Sequence, residues 1–148
     1  MSLRAFASGC NIIAFEKENK KYGMCCAWST MLDYDVVGML LGSQSITGKK
    51  LEVGDIVGVS SLSIGQEEIA NVFGSNHSDE IDKFKNIGIT CKIPAILINN
   101  AKTRMVCKVT KIAHLIEGND DNFVVLKVLE FETEKTKEFL PLEAVIPE

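Results

Sequence analysis

Short strand-like runs, separated by turns rich in Gly, Asn, Asp and Ser, recur along the whole of this 148-residue chain. Runs of this length bounded by turn residues are typical of antiparallel sandwiches and barrels, whereas parallel folds alternate their strands with long helices. The sequence therefore predicts a mainly β fold. A chain of this length fits one domain, which we assign to residues 1–148.

The first two runs predict a hairpin. Residues 10–16 and 24–29 are strand-like, and the polar segment 17–21 between them reads as a turn. Further strands are expected over residues 36–41, 56–60, 88–93, 104–114 and 123–131.

The run 123–131 is the most apolar of these strands. Its two faces carry Phe123, Val125 and Leu129 on one side and Val124, Leu126 and Val128 on the other. A strand that is apolar on both faces needs cover on both, and in a chain this small a second copy can supply it. We therefore expect a homodimer packed through this strand.

Two short helices are expected between the strands. Ser63 and Gln66 have the spacing of a capping box, which predicts a helix over residues 64–73. Ser78 can cap a second helix over residues 79–86, with Gly88 supplying a left-handed C-terminal turn.

Composition and residue pairing exclude several functions. A net charge of −4 leaves no basic excess for nucleic acid. No apolar run is long enough to span a membrane and no signal peptide is visible, so we expect a cytoplasmic protein. The five cysteines form no Cys-x-x-Cys pair, and the two histidines have no spaced partner, so no metal site or catalytic constellation is identified.

One loop has the chemistry of a phosphate site. Residues 42–50 read Gly-Ser-Gln-Ser-Ile-Thr-Gly-Lys-Lys and offer hydroxyls, main-chain amides and positive charge, although an ordinary surface loop has the same composition. The Walker spacing is absent. A second polar cluster, Trp28-Ser29-Thr30, ends a strand, and its tryptophan reads either as a core anchor, which we favour, or as a ligand contact. Ser60-Ser61 ends the strand before the first expected helix and can also be read as a simple turn.

The order of these motifs resembles the flavin reductase-like family, which has an FMN-binding split barrel. Residues 22–30, Tyr-Gly-Met-Cys-Cys-Ala-Trp-Ser-Thr, are similar to the family's Asn-Gly-x-Thr-Ala-x-Trp/Ser segment. Residues 42–47 resemble its Ser-x-Thr loop, residues 57–63 its Phe-x-Val-Asn-Val-Leu run, and residues 82–84 its Asp-Lys/Arg-Phe element. The resemblance extends over residues 10–129.

The resemblance implies a six-stranded antiparallel split β-barrel of Greek-key type with a few short helices. It implies FMN, with FAD less favoured, held noncovalently near a homodimer interface. It also implies electron transfer that involves NADH, NADPH or a redox protein partner.

The resemblance implies a set of cofactor-binding residues. Cys26, Ala27, Ser29 and Thr30 would line the isoalloxazine or ribityl region together with Trp28, and Ser60 would lie at the ribityl chain or ring edge. Ser43, Ser45 and Thr47 would bind the phosphate in a loop that includes Gln44, and Lys83 would add a positive charge.

One departure from the family bears on the electron donor. Many members that use nicotinamide carry Gly-Asp-His where residues 118–122 here read Gly-Asn-Asp-Asp-Asn. Adjacent carboxylates repel an anionic nucleotide. The resemblance implies an FMN-binding oxidoreductase of the NAD(P)H-dependent flavin reductase type. This departure leaves open the alternative of a flavoredoxin-like electron carrier or flavin-binding module without its own nicotinamide site.

Overall fold

The computed structural model describes residues 3–43, 45–75 and 82–145. Within this part of the chain the strands are β1 Asn11–Lys17, β2 Lys20–Cys26, β3 Ser29–Asp33, β4 Val36–Leu41, β5 Ile56–Ser61, β6 Ile89–Lys92, β7 Ala95–Ile98, β8 Thr103–Ala113 and β9 Asn122–Thr133. The helices are α1 Ile46–Lys50, α2 Glu67–Ser75 and a 3-10 turn over Leu142–Ala144. None of the helices described is long and apolar enough to cross a membrane.

All nine strands join one antiparallel sheet. Its order is β3-β4-β9-β8-β5-β1-β7-β6, and β2 pairs with β1 outside this path. The mainly β prediction is confirmed. The expected six strands are wrong for the described residues, because the short strand β3 and the β6–β7 hairpin extend the sheet at its two ends.

The predicted first hairpin forms, but its turn is shorter than expected and β2 covers residues 20–26 rather than 24–29. Its register pairs Asn11 with Cys26 and Lys17 with Lys20, so the connecting turn is only Glu18-Asn19. Both turn residues have positive φ, as two-residue hairpin turns of type I′ require.

The helices differ in place from the sequence prediction. Residues 46–50, expected as loop, form α1 with Ser45 as its N-cap. Only one of the two hydrogen bonds of the capping box forms. The Gln66 side chain accepts from the Ser63 amide at 3.0 Å, but the Ser63 hydroxyl donates to the Asn100 carbonyl oxygen instead of capping the helix. Helix α2 therefore starts at Glu67 rather than residue 64.

The second expected helix, over residues 79–86, falls partly outside the described residues. Those that are described, 82–86, form a turn rather than a helix. Asn86, with φ of 67°, takes the left-handed conformation that we had expected of Gly88.

The core lies on both faces of β1. Ile13 and Phe15 point to an inner cluster with the apolar residues of β4, β5, β8 and β9. Ile12 and Ala14 point to an outer cluster, which is covered by α2, β7 and the segment that includes Leu140.

Strand β7 crosses the outer face of β5 at very short range. A Cβ atom on Gly58 would lie 2.0 Å from the carbonyl oxygen of Ile96. Two residues along β5, the buried Ser60 hydroxyl accepts from the Ile98 amide at 2.9 Å. Glycine is therefore the one residue that fits at position 58.

Candidate functional site

A cavity of about 440 Å³ opens at one end of the inner core. Its apolar walls include Val37, Met39, Val59 and Met105, and its rim is formed by residues 7–9 and 139–141. Its polar wall is formed by Asn11, Ser29, Thr30 and Ser61. A deep apolar pocket with a few convergent polar groups is the usual form of a cofactor or small-molecule site.

Two residues of the polar wall lie at the ends of β1 and β5, where the row of inward-facing apolar side chains gives way to a polar one. On β1 the inward positions are Asn11 followed by Ile13 and Phe15, and on β5 they run from Val57 to Ser61 in steps of two. The sequence analysis did not assign Asn11 or Ser61 to the site. Period-two alternation was the signal that could have found them, since each continues an apolar face with a polar side chain.

The three polar side chains from β1, β3 and β5 are joined by hydrogen bonds. The Asn11 Nδ2 group donates to Ser29 Oγ at 2.7 Å and to the Cys26 carbonyl oxygen at 3.0 Å. The Ser61 hydroxyl donates to Asn11 Oδ1 at 2.7 Å. Because the residues come from three strands, the sheet register itself fixes the geometry of this wall.

The expected ring-binding segment, residues 26–30, passes along this wall. Ser29 and Thr30 line the cavity, and Ala27 and Trp28 line an adjacent groove against residues 3–8. Trp28 is 66% exposed, so the interpretation as a core anchor is wrong. Burial raises the pKa of the Cys26 thiol to about 11, and the neutral thiol donates to the carbonyl oxygens of Trp28 and Leu40.

The expected phosphate loop lies at the other end of β4. Ser45 Oγ accepts from the Gly48 amide at 3.0 Å and donates to Met24 Sδ, and Thr47 is buried. The Ser43 amide donates to an Asp121 carboxylate oxygen at 2.7 Å. Gln44 lies outside the described residues.

The remaining two predicted residues lie in the interior. Ser60 is fully buried and accepts from β7, as described above. Lys83 is also buried, and its Nζ donates to the carbonyl oxygens of Gly23 at 2.8 Å and Phe73 at 3.3 Å. The structure thus brings Ser29 and Thr30 together in the cavity. The other predicted residues that it describes lie in the groove, the α1 loop and the interior.

No cluster of three or more metal-ligating side chains occurs among the described residues. His114, the one histidine within them, has its Nδ1 at 3.3 Å from the Asp121 carbonyl oxygen. His77 lies in the segment that is not described.

Comparisons with known proteins identify the fold. The family model described as "Flavin reductase like domain" matches residues 3–143. No curated protein matches the sequence significantly.

Solved structures with this fold include the NADH:FAD oxidoreductase SgcE6 of Streptomyces globisporus C-1027, with 20% identity, coverage of 90% of this chain and 80% of that one, and a TM-score of 0.79. Flavoredoxin from Methanosarcina acetivorans has 14% identity, 90% and 72% coverage and a TM-score of 0.77. The FMN-binding protein from Thermus thermophilus has 16% identity, 89% and 75% coverage and a TM-score of 0.78. SgcE6 has also been solved in complex with NAD and FAD fragments.

Proposed function

The chain belongs to the flavin reductase-like domain family, and from that premise we propose that it is an FMN-binding oxidoreductase whose cavity beside Ser29 holds the flavin ring. The observation that carries the proposal is the cavity itself, in which a hydrogen-bonded polar wall faces apolar walls. Closure of the nine-stranded sheet into a split barrel is part of the same proposal.

The side chains of the cavity suit a flavin. An isoalloxazine ring is flat and apolar on its faces and polar along one edge, which matches methionine and valine walls beside a row of hydroxyl and amide groups. Asn11, Ser29 and Ser61 would hold the polar edge, and Val37 and Met105 would contact the ring faces. A bound flavin supplies hydride and electron transfer, while the protein supplies position and excludes water.

We place the phosphate of FMN at the loop of Ser43, Ser45 and Thr47. The support is the family resemblance together with the Ser45 hydroxyl and the Ser43 amide. Asp121 now accepts from that amide and Met24 Sδ accepts from that hydroxyl, so an incoming phosphate has to displace both acceptors. FAD carries a bulkier group beyond this position, which is why FMN is preferred in the proposal.

Ser45→Ala is expected to weaken FMN binding about tenfold, because one charge-assisted hydrogen bond to the phosphate is lost. Riboflavin, which has no phosphate, should bind wild type and variant alike. Fluorescence titration of the apoprotein with both flavins measures the difference. Since Ser45 also caps α1, the variant should lose about 1 kcal/mol of stability, and thermal unfolding controls for this.

Equal losses for FMN and riboflavin would refute this phosphate position. Failure of the wild-type protein to bind either flavin at micromolar concentration would refute the proposed function as a whole.

The electron donor separates two versions of the function. NADH or NADPH as donor makes the protein a flavin reductase, which passes electrons to free flavin, a metal centre or a redox protein. A flavoredoxin-like carrier without its own nicotinamide site is the second candidate. It is favoured by the stretch 118–122, which lacks the Gly-Asp-His of many nicotinamide-using family members and in which the Asp121 carboxylate is engaged with the Ser43 amide. Rapid bleaching of the flavin on anaerobic addition of either nucleotide selects the first version.

We also propose that the protein is a homodimer that packs through β9. Phe123 lies over Gly38 of β4, where a Cβ would come within 2.4 Å of its ring, so part of the second apolar face is covered within the chain. Leu129 and Phe131, at the other end of the strand, are 54% and 70% exposed. These two exposed apolar side chains form the surface that a second copy of the chain would bury.

Phe131→Glu should raise the dimer dissociation constant at least tenfold, because a carboxylate then has to be desolvated in the interface. Light scattering across a dilution series measures the shift. Val53→Glu, which changes an exposed valine in the turn before β5, is the matched control and should dimerise normally. A folded wild-type monomer at micromolar concentration would contradict the proposal.

A further inference from the structure

The orientation of the Asn11 amide is fixed by its neighbours. The carbonyl oxygen of Cys26 accepts hydrogen bonds and never donates them, so the Asn11 atom 3.0 Å from it is the NH₂ group. The amide oxygen therefore points toward Ser61. A reversed amide would place two acceptors against each other at this position.

This orientation fixes the roles of the two serine hydroxyls. Ser29 Oγ accepts from the Asn11 NH₂ group, so its own proton remains available to a ligand. The Ser61 hydroxyl donates its proton to Asn11 Oδ1, so its lone pairs remain available to accept a hydrogen bond from a ligand. Within the described part of the chain, neither hydroxyl makes another side-chain hydrogen bond. Both line the cavity.

We propose that Asn11 presets Ser29 as a donor and Ser61 as an acceptor, so that the cavity recognises a ligand edge on which a carbonyl oxygen lies beside an N–H group. The inference rests on the proposed flavin site, since the pyrimidine edge of isoalloxazine carries this pair at its C=O and N3–H groups. The carboxamide of a nicotinamide carries the same chemistry. Asn11 is a positioning residue in this scheme, and the two serines contact the ligand.

The contacts can be tested with a ligand that lacks the N–H group. Wild-type protein should bind riboflavin about three- to tenfold more tightly than N3-methylriboflavin, the range expected for one hydrogen bond. Ser61→Ala should lose that factor for riboflavin and no longer distinguish the two ligands. Ser29→Ala should bind both more weakly by a similar factor and still distinguish them.

The role of Asn11 is tested by Asn11→Asp, which keeps the shape and removes the donor. The carboxylate accepts from both serines, so the Ser29 proton turns away from the cavity and riboflavin affinity falls about as far as in Ser29→Ala. The variant also loses stability, because a carboxylate oxygen then faces the Cys26 carbonyl oxygen. The double variant, Asn11→Asp with Ser29→Ala, should then bind riboflavin no more weakly than either single variant. If the two substitutions acted independently through the structure, their losses of affinity would multiply instead. Unfolding midpoints measured beside the affinities identify any variant that fails to fold, and in that case the serine variants carry the test alone.

A second pair of ligands decides which molecule presents the edge. NADH carries a carboxamide, and its 3-acetylpyridine analogue has the carbonyl without the N–H. If the protein distinguishes riboflavin from N3-methylriboflavin and Ser61→Ala abolishes the difference, the polar wall binds the flavin. If only NADH and its 3-acetylpyridine analogue are distinguished in this way, the polar wall binds the nicotinamide. Discrimination that survives Ser61→Ala in both pairs, or is absent from wild type in both, overturns the inference. A third result would separate this inference from the proposed function. If wild-type protein binds neither FMN nor riboflavin but distinguishes the NADH pair through Ser61, the flavin function is overturned and the inference stands.

Discussion

Gly58→Ala should destabilise the protein by about 3 kcal/mol or more, a large fraction of the roughly 5–15 kcal/mol that stabilises a typical domain. The new methyl group would lie 2.0 Å from the Ile96 carbonyl oxygen and 2.7 Å from its carbonyl carbon. Both atoms belong to the main chain of β7, so no side-chain rotation relieves the overlap. Strand β7 is also held by its pairing with β6 and by the Ser60 hydrogen bond, so it has little freedom to retreat.

Gly42→Ala is the matched control, because a Cβ at Gly42 meets no atom within 4 Å. Its free energy of unfolding should stay within about 0.5 kcal/mol of wild type. Urea denaturation followed by circular dichroism measures both variants. Equal stability of the two would show that β7 does not approach β5 as closely as described here.

Lys83→Met should cost about 3 kcal/mol of stability, the second-largest effect that we expect. The Lys83 ammonium group donates to the Gly23 carbonyl in β2 and to the Phe73 carbonyl in the last turn of α2, where helix carbonyls lack partners along the helix. Its charge also suits the negative end of the helix dipole. Methionine fills the same volume but leaves both buried carbonyls without this donor.

Lys85→Met is the control for Lys83→Met, since Lys85 is exposed two residues away. It should unfold at the wild-type denaturant midpoint. Flavin affinity, measured on the folded fraction of each variant, separates the structural role of Lys83 from the positive charge that the resemblance assigns to it. A stable Lys83→Met variant with weakened FMN binding would favour the cofactor role.

The long strands were predictable from sequence, β8 because its apolar and polar residues alternate and β9 because it is a long apolar run bounded by turn residues. The first hairpin was predictable because a polar turn separates two strand-like runs. Strands β1, β8 and β9 lie close to their predicted bounds, whereas β2 covers residues 20–26 rather than the predicted 24–29. Strand β7 is only four residues long and buried throughout, so no alternation marks it. Helix α1 was hidden because its segment contains serine, threonine and glycine, which are as common in loops.

The site was only partly predictable for a related reason. The cavity was missed as a unit because Asn11, Ser29 and Ser61 lie far apart in the chain and meet only through strand pairing. The segment containing Ser29 and Thr30 was found because its neighbours form a recognisable motif. Burial of Lys83 depends on the packing of Phe73 and Phe84 around Gly23, which no local pattern reveals.

Trp28 combines two properties that make the chain convenient to observe. It is the only tryptophan, and its indole is largely in solvent, one residue before a side chain of the cavity wall. Tryptophan emission of the native protein therefore originates from a single point in the groove beside the cavity. A chromophore bound in the cavity accepts energy from Trp28 at short range and quenches its emission. Binding can therefore be followed by tryptophan fluorescence without an attached label.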